Sequence, residues 1–412
     1  MRGRDFCRNC GLALSQACLS LGFQPLPNAM VKTLHQSLEI AKHPLELRIC
    51  ENCGLGQVGD YFKREDVFPS NYAYQSGISK VWREYAFRRA DQLKVELRKR
   101  DGVKVFEIAS NDGSALLPFI KMGFKTYGIE PASNLARASE DIGINKVYKN
   151  FFGLDFAVTH KEELGDIDLI MANNVAAHVP DIHDFFAGVA QLMSSDTILS
   201  IENPGLDTIM KSLYLDTIYH EHYSYLSTTA MLKMLEVHEL KLLDVHSIPL
   251  HGGSKRYVVA KRNSQRRQNL YNLESQLSRE KKIGLNDKYR VLSFYERATK
   301  FLQEIKAFFE SHATEGIVGF GAAAKTTVIL NATQANLYFK AVFDSNPLKQ
   351  GNFVPGTQVK ILSPSDIKYF NYNHVVIFPW NIANEFVSWV REYPVKPVKC
   401  WKLFPEIIEI ES

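Results

Sequence analysis

The sequence predicts an α/β protein with a small cysteine-rich N-terminal unit followed by two Rossmann-like domains. Two C-x2-C pairs occur near the N-terminus, in the stretches CRNCG and CENCG. Short β-rich runs then alternate with helical patterns between residues 103 and 204, and a second α/β pattern begins at residue 316. Such alternation is typical of parallel sheets covered by helices. The expected units are residues 1–65, 66–250 and 251–412.

The composition is ordinary for a globular protein and excludes several classes of protein. The chain has 412 residues, of which 45% are hydrophobic and 23% charged, with a formal net charge of +4. This weak charge argues against a nucleic-acid binder. No run of about 18 or more apolar residues is present, and the stretch MRGRDFCRNCG lacks the apolar core of a signal peptide. We therefore expect a cytoplasmic protein with neither a membrane nor a nucleic-acid partner.

The N-terminal unit carries four cysteines in two matched pairs, Cys7/Cys10 and Cys50/Cys53. Each pair is followed directly by glycine, and 39 residues separate the two pairs. Tetrahedral zinc takes four thiolates of this kind, which predicts a zinc ribbon with an inserted loop. A closed four-thiolate site leaves no open position for chemistry, so its expected role is in folding. Coincidental or redox-active cysteines are the alternative.

The two larger domains are predicted from their β-rich runs. In the central domain, the first three of these runs are each followed by a helical pattern, which favours a parallel sheet. The central runs are VKVFEIAS (103–110), FKTYGIE (124–130), IDLIMANN (167–174) and TILSIENP (197–204). Two further strands, LKLLDVHSIPL and KRYVVAKR, lead into long helices that end in YERATKFLQEIKAFFESH. The last domain repeats the α/β pattern in GIVGFGAAAKTTVILN, LYFKAVFDSN and HVVIFPW.

The first candidate ligand site is the turn after the strand VFEI. Glu107 lies near the strand end, and Asn111, Asp112 and Gly113 form the turn. Glu130 ends the next strand, 17 residues after Gly113, where an acidic side chain can hold two ribose hydroxyls. The dinucleotide pattern G-x-G-x-x-G is absent, and a carboxylate in the turn would repel a pyrophosphate. S-adenosylmethionine, which is cationic, fits better; another nucleotide or a ligand-free turn are the alternatives.

A second glycine-rich loop, GFGAAAK, competes with the first. It places Gly319, Gly321 and Ala324 after the strand GIVGF, with Asp344 ending the next strand 20 residues after Ala324. This spacing matches the physical requirements for NAD and would favour an oxidoreductase. The same loop can equally hold the diphosphate of a nucleotide substrate, because the amides at a helix N-terminus bind any phosphate.

Taken together, the motifs resemble one family, the S-adenosylmethionine-dependent C-methyltransferases that act on nucleotide-linked 4-keto-deoxysugars. The resemblance extends over essentially the whole chain in colinear order. It implies a zinc-binding N-terminal domain, a central Rossmann-like methyltransferase domain and a C-terminal Rossmann-like domain that helps to hold the nucleotide sugar. GFGAAAK is then a loop on the substrate side. The motifs are CxxCG (twice), NYAYQSGISKVW, EIASNDGS, GIEP, NNVAAHVPDI, DTIYHEHYSYLS, HGGSKR, GFGAAAKTTVILN and FDSNPLKQGNFVPGT.

The resemblance also implies site residues. The side chains that would line the sugar pocket are Tyr74, His178, Tyr219, Glu221 and His222. Asn173, which begins NNVAAHVPDI, joins Glu107, Asn111, Asp112, Gly113 and Glu130 on the cofactor side. On the substrate side we expect His251, Gly321, Lys325, Asp344 and Trp380. Two departures from the family pattern are Ala109, where glycine is common, and Ala176, where a bulkier apolar residue is expected.

The stretch DTIYHEHYSYLS fits the chemistry that the resemblance implies. A ring carbon accepts a methyl group only after a base removes its proton, and a neighbouring ketone then stabilises the enolate. Histidine suits this role at neutral pH, and His222 is the expected base. Glu221 is expected to orient an imidazole or bind a sugar hydroxyl, while His178, Tyr219 and Tyr74 would donate to the enolate or ketone oxygen. A zinc ion at His220 and His222 is the alternative.

The expected reaction is C-methylation of a nucleotide-linked 4-keto-6-deoxysugar at C3, with C5 as the other possibility, in a monomer or weak dimer. HGGSKR, which contains His251, is expected either to be a hairpin turn or to contact a ligand.

Overall fold

The computed structural model describes residues 5–97, 101–383, 386 and 398–410. Its strands form three sheets, and its helices pack around them. The strands are β1 (Leu19–Gln24), β2 (His43–Ile49), β3 (Gly56–Gln57), β4 (Lys104–Ile108), β5 (Lys125–Ile129), β6 (Lys146–Tyr148), β7 (Leu169–Asn173), β8 (Ile198–Pro204), β9 (Ser224–Tyr225), β10 (Leu240–Ile248), β11 (Ser254–Lys261), β12 (Ile317–Phe320), β13 (Phe339–Phe343), β14 (Ile361–Leu362), β15 (His374–Ile377), β16 (Lys399–Lys402) and β17 (Ile408–Ile410). The helices are α1 (Leu34–Leu38), α2 (Arg64–Val67), α3 (Lys80–Leu97), α4 (Leu117–Lys121), α5 (Ser133–Asp141), α6 (Leu154–Leu164), α7 (Ile182–Leu192), α8 (Leu206–Ser212), α9 (Thr228–Val237), α10 (Leu270–Ile283), α11 (Lys288–His312) and α12 (Ala324–Ala332).

The central sheet confirms the predicted parallel α/β domain. Its order is β10-β11-β8-β7-β4-β5-β6, and the five strands from β8 to β6 are parallel. The hairpin β10–β11 adds two antiparallel strands at one edge. The predicted boundary after residue 250 falls inside this hairpin, so the sheet itself continues to Lys261. The division of the chain into three domains stays a prediction.

Alternate side chains of the central strands face two different layers. Val105 and Leu169 pack with α3 and α4, whereas Phe106 and Ile170 pack with α6 and α7. Because both faces of the sheet are covered, the strands are apolar on both sides, as expected for a parallel sheet. The helices cover the two faces of the sheet, and the carboxyl ends of the strands are available to bind a ligand. The chain leaves β4 toward β5 on one side and returns to β7 on the other, which creates the crevice where ligands of such sheets bind.

The C-terminal sheet has the order β14-β13-β12-β15-β16-β17, with only β17 antiparallel among these strands. The long helices α10 and α11 precede it, as predicted. One apolar cluster joins β1 and β2 to α11, α12 and β12 through side chains such as Leu45, Phe294 and Ile329. The N-terminal unit therefore packs against the C-terminal domain as well as the central one.

No helix in the part of the chain that the structure describes is long and apolar enough to cross a membrane.

Candidate active site

A cavity of about 630 Å³ lies between the carboxyl ends of β4, β5 and β7, the segment 217–222 and the first turn of α12. Most of the predicted site residues line it. They are Tyr74, Glu107, Asn111, Glu130, Asn173, His178, Tyr219, Glu221, His222, Gly321, Lys325 and Asp344. Asp112, Gly113 and Trp380 are not among its lining residues. The structure thus brings the cofactor-side and sugar-side predictions into one space.

His222 is held by two hydrogen bonds on opposite sides of its ring. Its Nδ1 lies 3.0 Å from the carbonyl oxygen of Thr217, and its Nε2 lies 2.8 Å from the hydroxyl of Tyr219. Because a carbonyl can only accept, Nδ1 carries the proton and Nε2 accepts from Tyr219. Burial raises the pKa of the Tyr219 hydroxyl well above its ordinary value, with a further contribution from Glu221. Tyr219 is therefore a neutral phenol whose proton points at an imidazole.

The carboxylate of Glu221 is hydrogen-bonded to an amide and a phenol rather than to an imidazole, whose orientation was one of its two predicted roles. Its carboxylate accepts from Asn28 Nδ2, 2.9 Å from both oxygens, and from the Tyr72 hydroxyl, 2.9 Å from Oε2. Burial raises the pKa of Glu221 to about 7, and the hydrogen bonds from Tyr72 and Asn28 oppose that shift. The second predicted role of Glu221, binding a sugar hydroxyl, stays a prediction.

His178 and His220 have surroundings that differ from those of His222. His178 Nδ1 lies 2.7 Å from the backbone carbonyl of Glu221, and burial lowers the pKa of His178 to about 4. In this neutral tautomer Nε2 can only accept, so His178 suits a substrate hydroxyl better than the predicted enolate oxygen. His220 turns away: its Nε2 lies 3.2 Å from the carbonyl of His43, and its ring packs on Tyr61.

The cofactor edge of the cavity is built from buried carboxylates. Glu107 Oε1 accepts from Asn173 Nδ2 at 2.9 Å, whereas its buried Oε2 has no hydrogen-bond partner among the described residues. Burial raises the pKa of Glu107 to about 8 and that of Glu130 to about 7. Glu130 accepts from the backbone amides of Asn111 and Ala132, both at 2.9 Å. An unpartnered buried oxygen calls for a donor, and S-adenosylmethionine carries an ammonium group and ribose hydroxyls.

Asp112 and Gly113 have structural roles in place of the predicted ligand contacts. Asp112 accepts from the backbone amides of Gly77, at 2.7 Å, and Ser114, at 3.2 Å. Gly113 has φ +75°, and a Cβ atom there would come within 2.6 Å of Ile142. The glycine is thus required by packing against its own chain rather than by a ligand. Asp112 instead fastens the loop that carries Tyr74 to the cofactor turn.

The wall formed by the C-terminal domain contains a buried ion pair. Lys325 Nζ lies 3.4 Å from Asp216 Oδ2 and 4.3 Å from the centre of the Trp380 ring. Trp380 Nε1 donates to the same carboxylate oxygen at 2.6 Å. Burial lowers the pKa of Lys325 and raises that of Asp216, while each partner opposes the other's shift. Trp380 therefore packs behind the cavity wall, and Lys325 places its positive charge at the cavity.

The second glycine loop is explained largely by packing. A Cβ atom on Gly321 would lie 2.5 Å from Pro379, and one on Gly319 would lie 2.8 Å from Phe378. Asp344 fastens this loop, because its oxygens accept from the amides of Ala322, at 2.7 Å, and Asn346, at 2.8 Å.

HGGSKR is the hairpin turn between β10 and β11, which was one of its two predicted roles. A Cβ atom on Gly252 would come within 2.2 Å of Trp380, so the turn must pass close to that ring. Leu250 lines the cavity, whereas the side chain of His251 lies outside the described part of the structure.

The four paired cysteines converge as predicted. Cys7 Sγ lies 3.4 Å from Cys53 Sγ, and Cys10 Sγ lies 3.6 Å from Cys50 Sγ, with all four sulfur atoms within 4.8 Å of one another. Zinc with Zn–S bonds of about 2.3 Å separates its sulfur ligands by roughly 3.8 Å, so the four thiols fit that ion. No other such group occurs among the described residues, which removes support for zinc at His220 and His222.

The cysteine site also supports the active-site loop 178–183. Arg8, between two of the cysteines, donates to the carbonyl of Pro180 at 2.9 Å. The carbonyl of Asn9 lies 2.7 Å from His183 Nε2. Both contacts hold the chain just after His178. We therefore expect loss of the metal ion to disturb the position of His178 in the cavity.

Comparison with known families decides what kind of protein this is. A family described as "Putative zinc binding domain" matches residues 7–68, "Methyltransferase domain" matches 82–245, and "C-methyltransferase C-terminal domain" matches 249–400. The chain is therefore a methyltransferase that carries a C-methyltransferase C-terminal domain. A relative, the C-methyltransferase NovU of Streptomyces niveus, is 27% identical over 95% of this chain and 94% of its own length.

Other similar proteins cover a smaller share of the chain. A ubiquinone biosynthesis O-methyltransferase of Rhodopseudomonas palustris is 28% identical over 29% of this chain and 47% of its own. Among solved structures, magnesium protoporphyrin IX methyltransferase of Synechocystis, with bound S-adenosylmethionine, has a TM-score of 0.36 and 12% identity, covering 50% of this chain and 100% of that one. A methyltransferase of Archaeoglobus fulgidus has a TM-score of 0.34 and 16% identity, covering 43% and 94%.

The predicted enzyme class is confirmed, and so are the predicted cofactors: S-adenosylmethionine and structural zinc. The residues that would hold the methyl donor stay a proposal. Glu107 is the first to test. Glu107→Gln should weaken S-adenosylmethionine binding by about 10- to 100-fold, because the ammonium group of the bound ligand favours the carboxylate form and an amide cannot form that charge-assisted hydrogen bond. Calorimetric titration checks this, with the exposed Glu163→Gln as control; equal affinities in both variants would remove Glu107 from the site.

Sequence reasoning missed two residues of the C-methyltransferase site, Asn28 and Tyr72. Tyr72 is 8% exposed and reaches Glu221, whereas the predicted Tyr74, two positions on, is 47% exposed. Both tyrosines lie in the motif NYAYQS, so the sequence indicated either of them as a candidate. Asn28 lies in the loop after β1 and gave none, because only the folded chain brings it to Glu221.

Proposed function

We propose that this C-methyltransferase methylates the carbon next to the ketone of a nucleotide-linked 4-keto-6-deoxysugar, at C3. The observation that supports this most is the Tyr219–His222 hydrogen bond on the wall of a cavity that also contains Glu107 and Glu130. A proton acceptor is required for methyl transfer to carbon, since a ring C–H is not a nucleophile. S-adenosylmethionine, when bound, supplies the electrophilic methyl group.

The Tyr219–His222 pair can accept the proton in one relay. The Tyr219 oxygen takes the proton from the ring carbon as it passes its own proton to His222 Nε2. Its high pKa rules out a free phenolate, so the two transfers are coupled. The backbone carbonyl of Thr217 holds His222 Nδ1–H and stabilises the imidazolium that forms. The base is therefore His222, acting through Tyr219.

The remaining lining residues complete the proposed site. Tyr74, which carries a hydroxyl and lines the cavity, is the proposed donor to the enolate oxygen. His178 Nε2 and Glu221 accept sugar hydroxyls. Lys325, at the start of α12, faces the cavity and complements the diphosphate of a nucleotide sugar.

The test is incubation with a panel of 4-keto nucleotide sugars and labelled S-adenosylmethionine, followed by mass spectrometry. We expect one methyl group to be added to a 4-keto sugar and none to the matching 4-hydroxy sugar, since only the ketone acidifies the neighbouring carbon. Equal methylation of both would contradict the proposal. Calorimetric titration with NAD tests the oxidoreductase alternative, and tight NAD binding without S-adenosylmethionine binding would favour it.

A further inference from the structure

Glu221 is held by donors from two different parts of the chain. Asn28 lies in the loop that follows β1 of the N-terminal unit, and Tyr72 precedes the loop that carries Tyr74. Asn28 Nδ2 is 2.9 Å from both carboxylate oxygens, and the Tyr72 hydroxyl is 2.9 Å from Oε2. Glu221 is 2% exposed and Tyr72 is 8% exposed, so these contacts are shielded from solvent. A buried carboxylate is thus fixed from one side by two polar groups.

The loop of Asn28 is itself anchored. The carbonyl of Pro27 accepts from the Thr327 hydroxyl of α12 at 3.0 Å, and Leu26 packs in a small apolar cluster with Val67 and Tyr223. Asn28 is therefore held between the C-terminal domain and the segment that contains Glu221. Asn28 also lines the active-site cavity. A unit that only held a structural metal ion would not need a side chain there.

The hydrogen-bond pattern favours the ionised form of Glu221. The amide nitrogen of Asn28 is a donor only, and it contacts both oxygens, which suits a carboxylate that accepts at each. Among the side chains that the structure describes, Asn28 and Tyr72 both donate to Oε2, whereas Asn28 donates to Oε1. Each carboxylate oxygen offers two acceptor positions, so Oε1 keeps one for a ligand in the cavity.

We propose that Asn28 and Tyr72 are positioning residues of the active site, which keep Glu221 ionised and oriented so that Oε1 accepts a hydroxyl of the substrate. The N-terminal unit then completes the catalytic cavity and does more than stabilise the fold. The assignment of the hydroxyl rests on the proposed function, whereas the ionisation of Glu221 by its two donors does not.

Opposing effects act on the pKa of Glu221, so its ionisation depends on these two donors. Burial favours the neutral acid and brings the pKa to about 7, while the donors favour the carboxylate. Removing either donor must therefore raise the pKa and leave the group protonated at neutral pH. A protonated Glu221 would lose the acceptor that the substrate needs.

The tyrosines and His178 around Glu221 keep their charge near neutral pH. Burial raises the pKa of the Tyr72 and Tyr219 hydroxyls well above their ordinary value and that of Tyr223 to about 12. Burial lowers the pKa of His178, which contacts the backbone of Glu221, to about 4. His222 follows in the chain, and its ring is hydrogen-bonded to Thr217 and Tyr219.

The variants Tyr72→Phe and Asn28→Ala test the proposal, with Tyr223→Phe as a matched control. Tyr223 is a buried neighbour whose hydroxyl donates to the Phe62 carbonyl at 3.3 Å. The ligand-free protein is labelled with carbon-13 at its glutamate carboxyl carbons and titrated by NMR; Glu221→Gln identifies the Glu221 signal. We expect the midpoint of Glu221 to rise by about one pH unit or more in each donor variant and to stay unchanged in the control.

An unchanged midpoint in a donor variant that keeps its circular dichroism spectrum would overturn the proposal. If one variant fails to fold, the other decides. The acidic limb of the pH profile of kcat gives a second readout: it should move to higher pH in both donor variants, with kcat recovering at alkaline pH. A shifted NMR midpoint without any sugar methylation would reject the proposed function alone. Methylation with unshifted midpoints would reject this inference alone.

Discussion

Replacing His222 with alanine is expected to lower turnover by about 10²–10⁴-fold while leaving the affinity for S-adenosylmethionine unchanged. The imidazole is hydrogen-bonded to Tyr219 on one side and to the Thr217 carbonyl on the other, so its loss removes the proton acceptor without touching the cofactor edge. Turnover is measured with the keto sugar that the panel identifies, and cofactor affinity is measured by calorimetry.

His220→Ala is the matched control for His222→Ala. His220 lies in the same turn and is equally buried, but its ring packs on Tyr61 and Phe62, away from the cavity. We expect the folded fraction of this variant to keep its turnover. Tyr219→Phe should resemble His222→Ala, because the relay needs the phenol oxygen. Full turnover in Tyr219→Phe would leave His222 as a direct base, and full turnover in His222→Ala would remove it from the mechanism.

Replacing Cys50 with serine is expected to release the metal ion, lower the midpoint of thermal unfolding by several degrees and reduce turnover. Three remaining thiolates cannot complete the tetrahedral site, and structural zinc contributes its binding energy directly to folding. Turnover should fall because Arg8 and Asn9, which lie between Cys7 and Cys10, hold the loop of His178. Metal content is measured by mass spectrometry and stability by calorimetry.

Cys18→Ser serves as the control for the metal site, since Cys18 lies outside the group of four sulfur atoms. It should keep one zinc ion per chain. A Cys50→Ser protein with unchanged metal content would reject the four-thiolate site. A protein that lost its metal but kept full turnover would show that the contacts to loop 178–183 persist without zinc.

Local patterns in the sequence predicted the fold well. The runs VFEI, YGI and LIMAN became adjacent parallel strands because each is apolar on both faces and is followed by a helix that covers one of them. The cysteine knuckles were equally clear: Gly11 and Gly54 have positive φ angles, and the amide of each bonds the carbonyl of the first cysteine of its pair. Such features depend on neighbours in the chain.

The errors concern contacts between distant segments. Gly113 looked like a ligand-contacting glycine, but Ile142, from the loop after α5, occupies the space beside it. Glu221 and His222 are adjacent in sequence, yet the turn at residues 219–222 directs one toward Asn28 and the other toward Tyr219. Spacing along the chain shows which residues carry chemistry, but packing decides which partner each one meets.

The position of the transferred methyl group tests C-methylation most directly. S-adenosylmethionine carrying a carbon-13 methyl group is incubated with the protein and the accepted 4-keto nucleotide sugar, and the product is examined by two-dimensional NMR. We expect a labelled methyl group bonded to the ring carbon beside the ketone. A labelled methyl group bonded to oxygen or nitrogen would contradict this expectation.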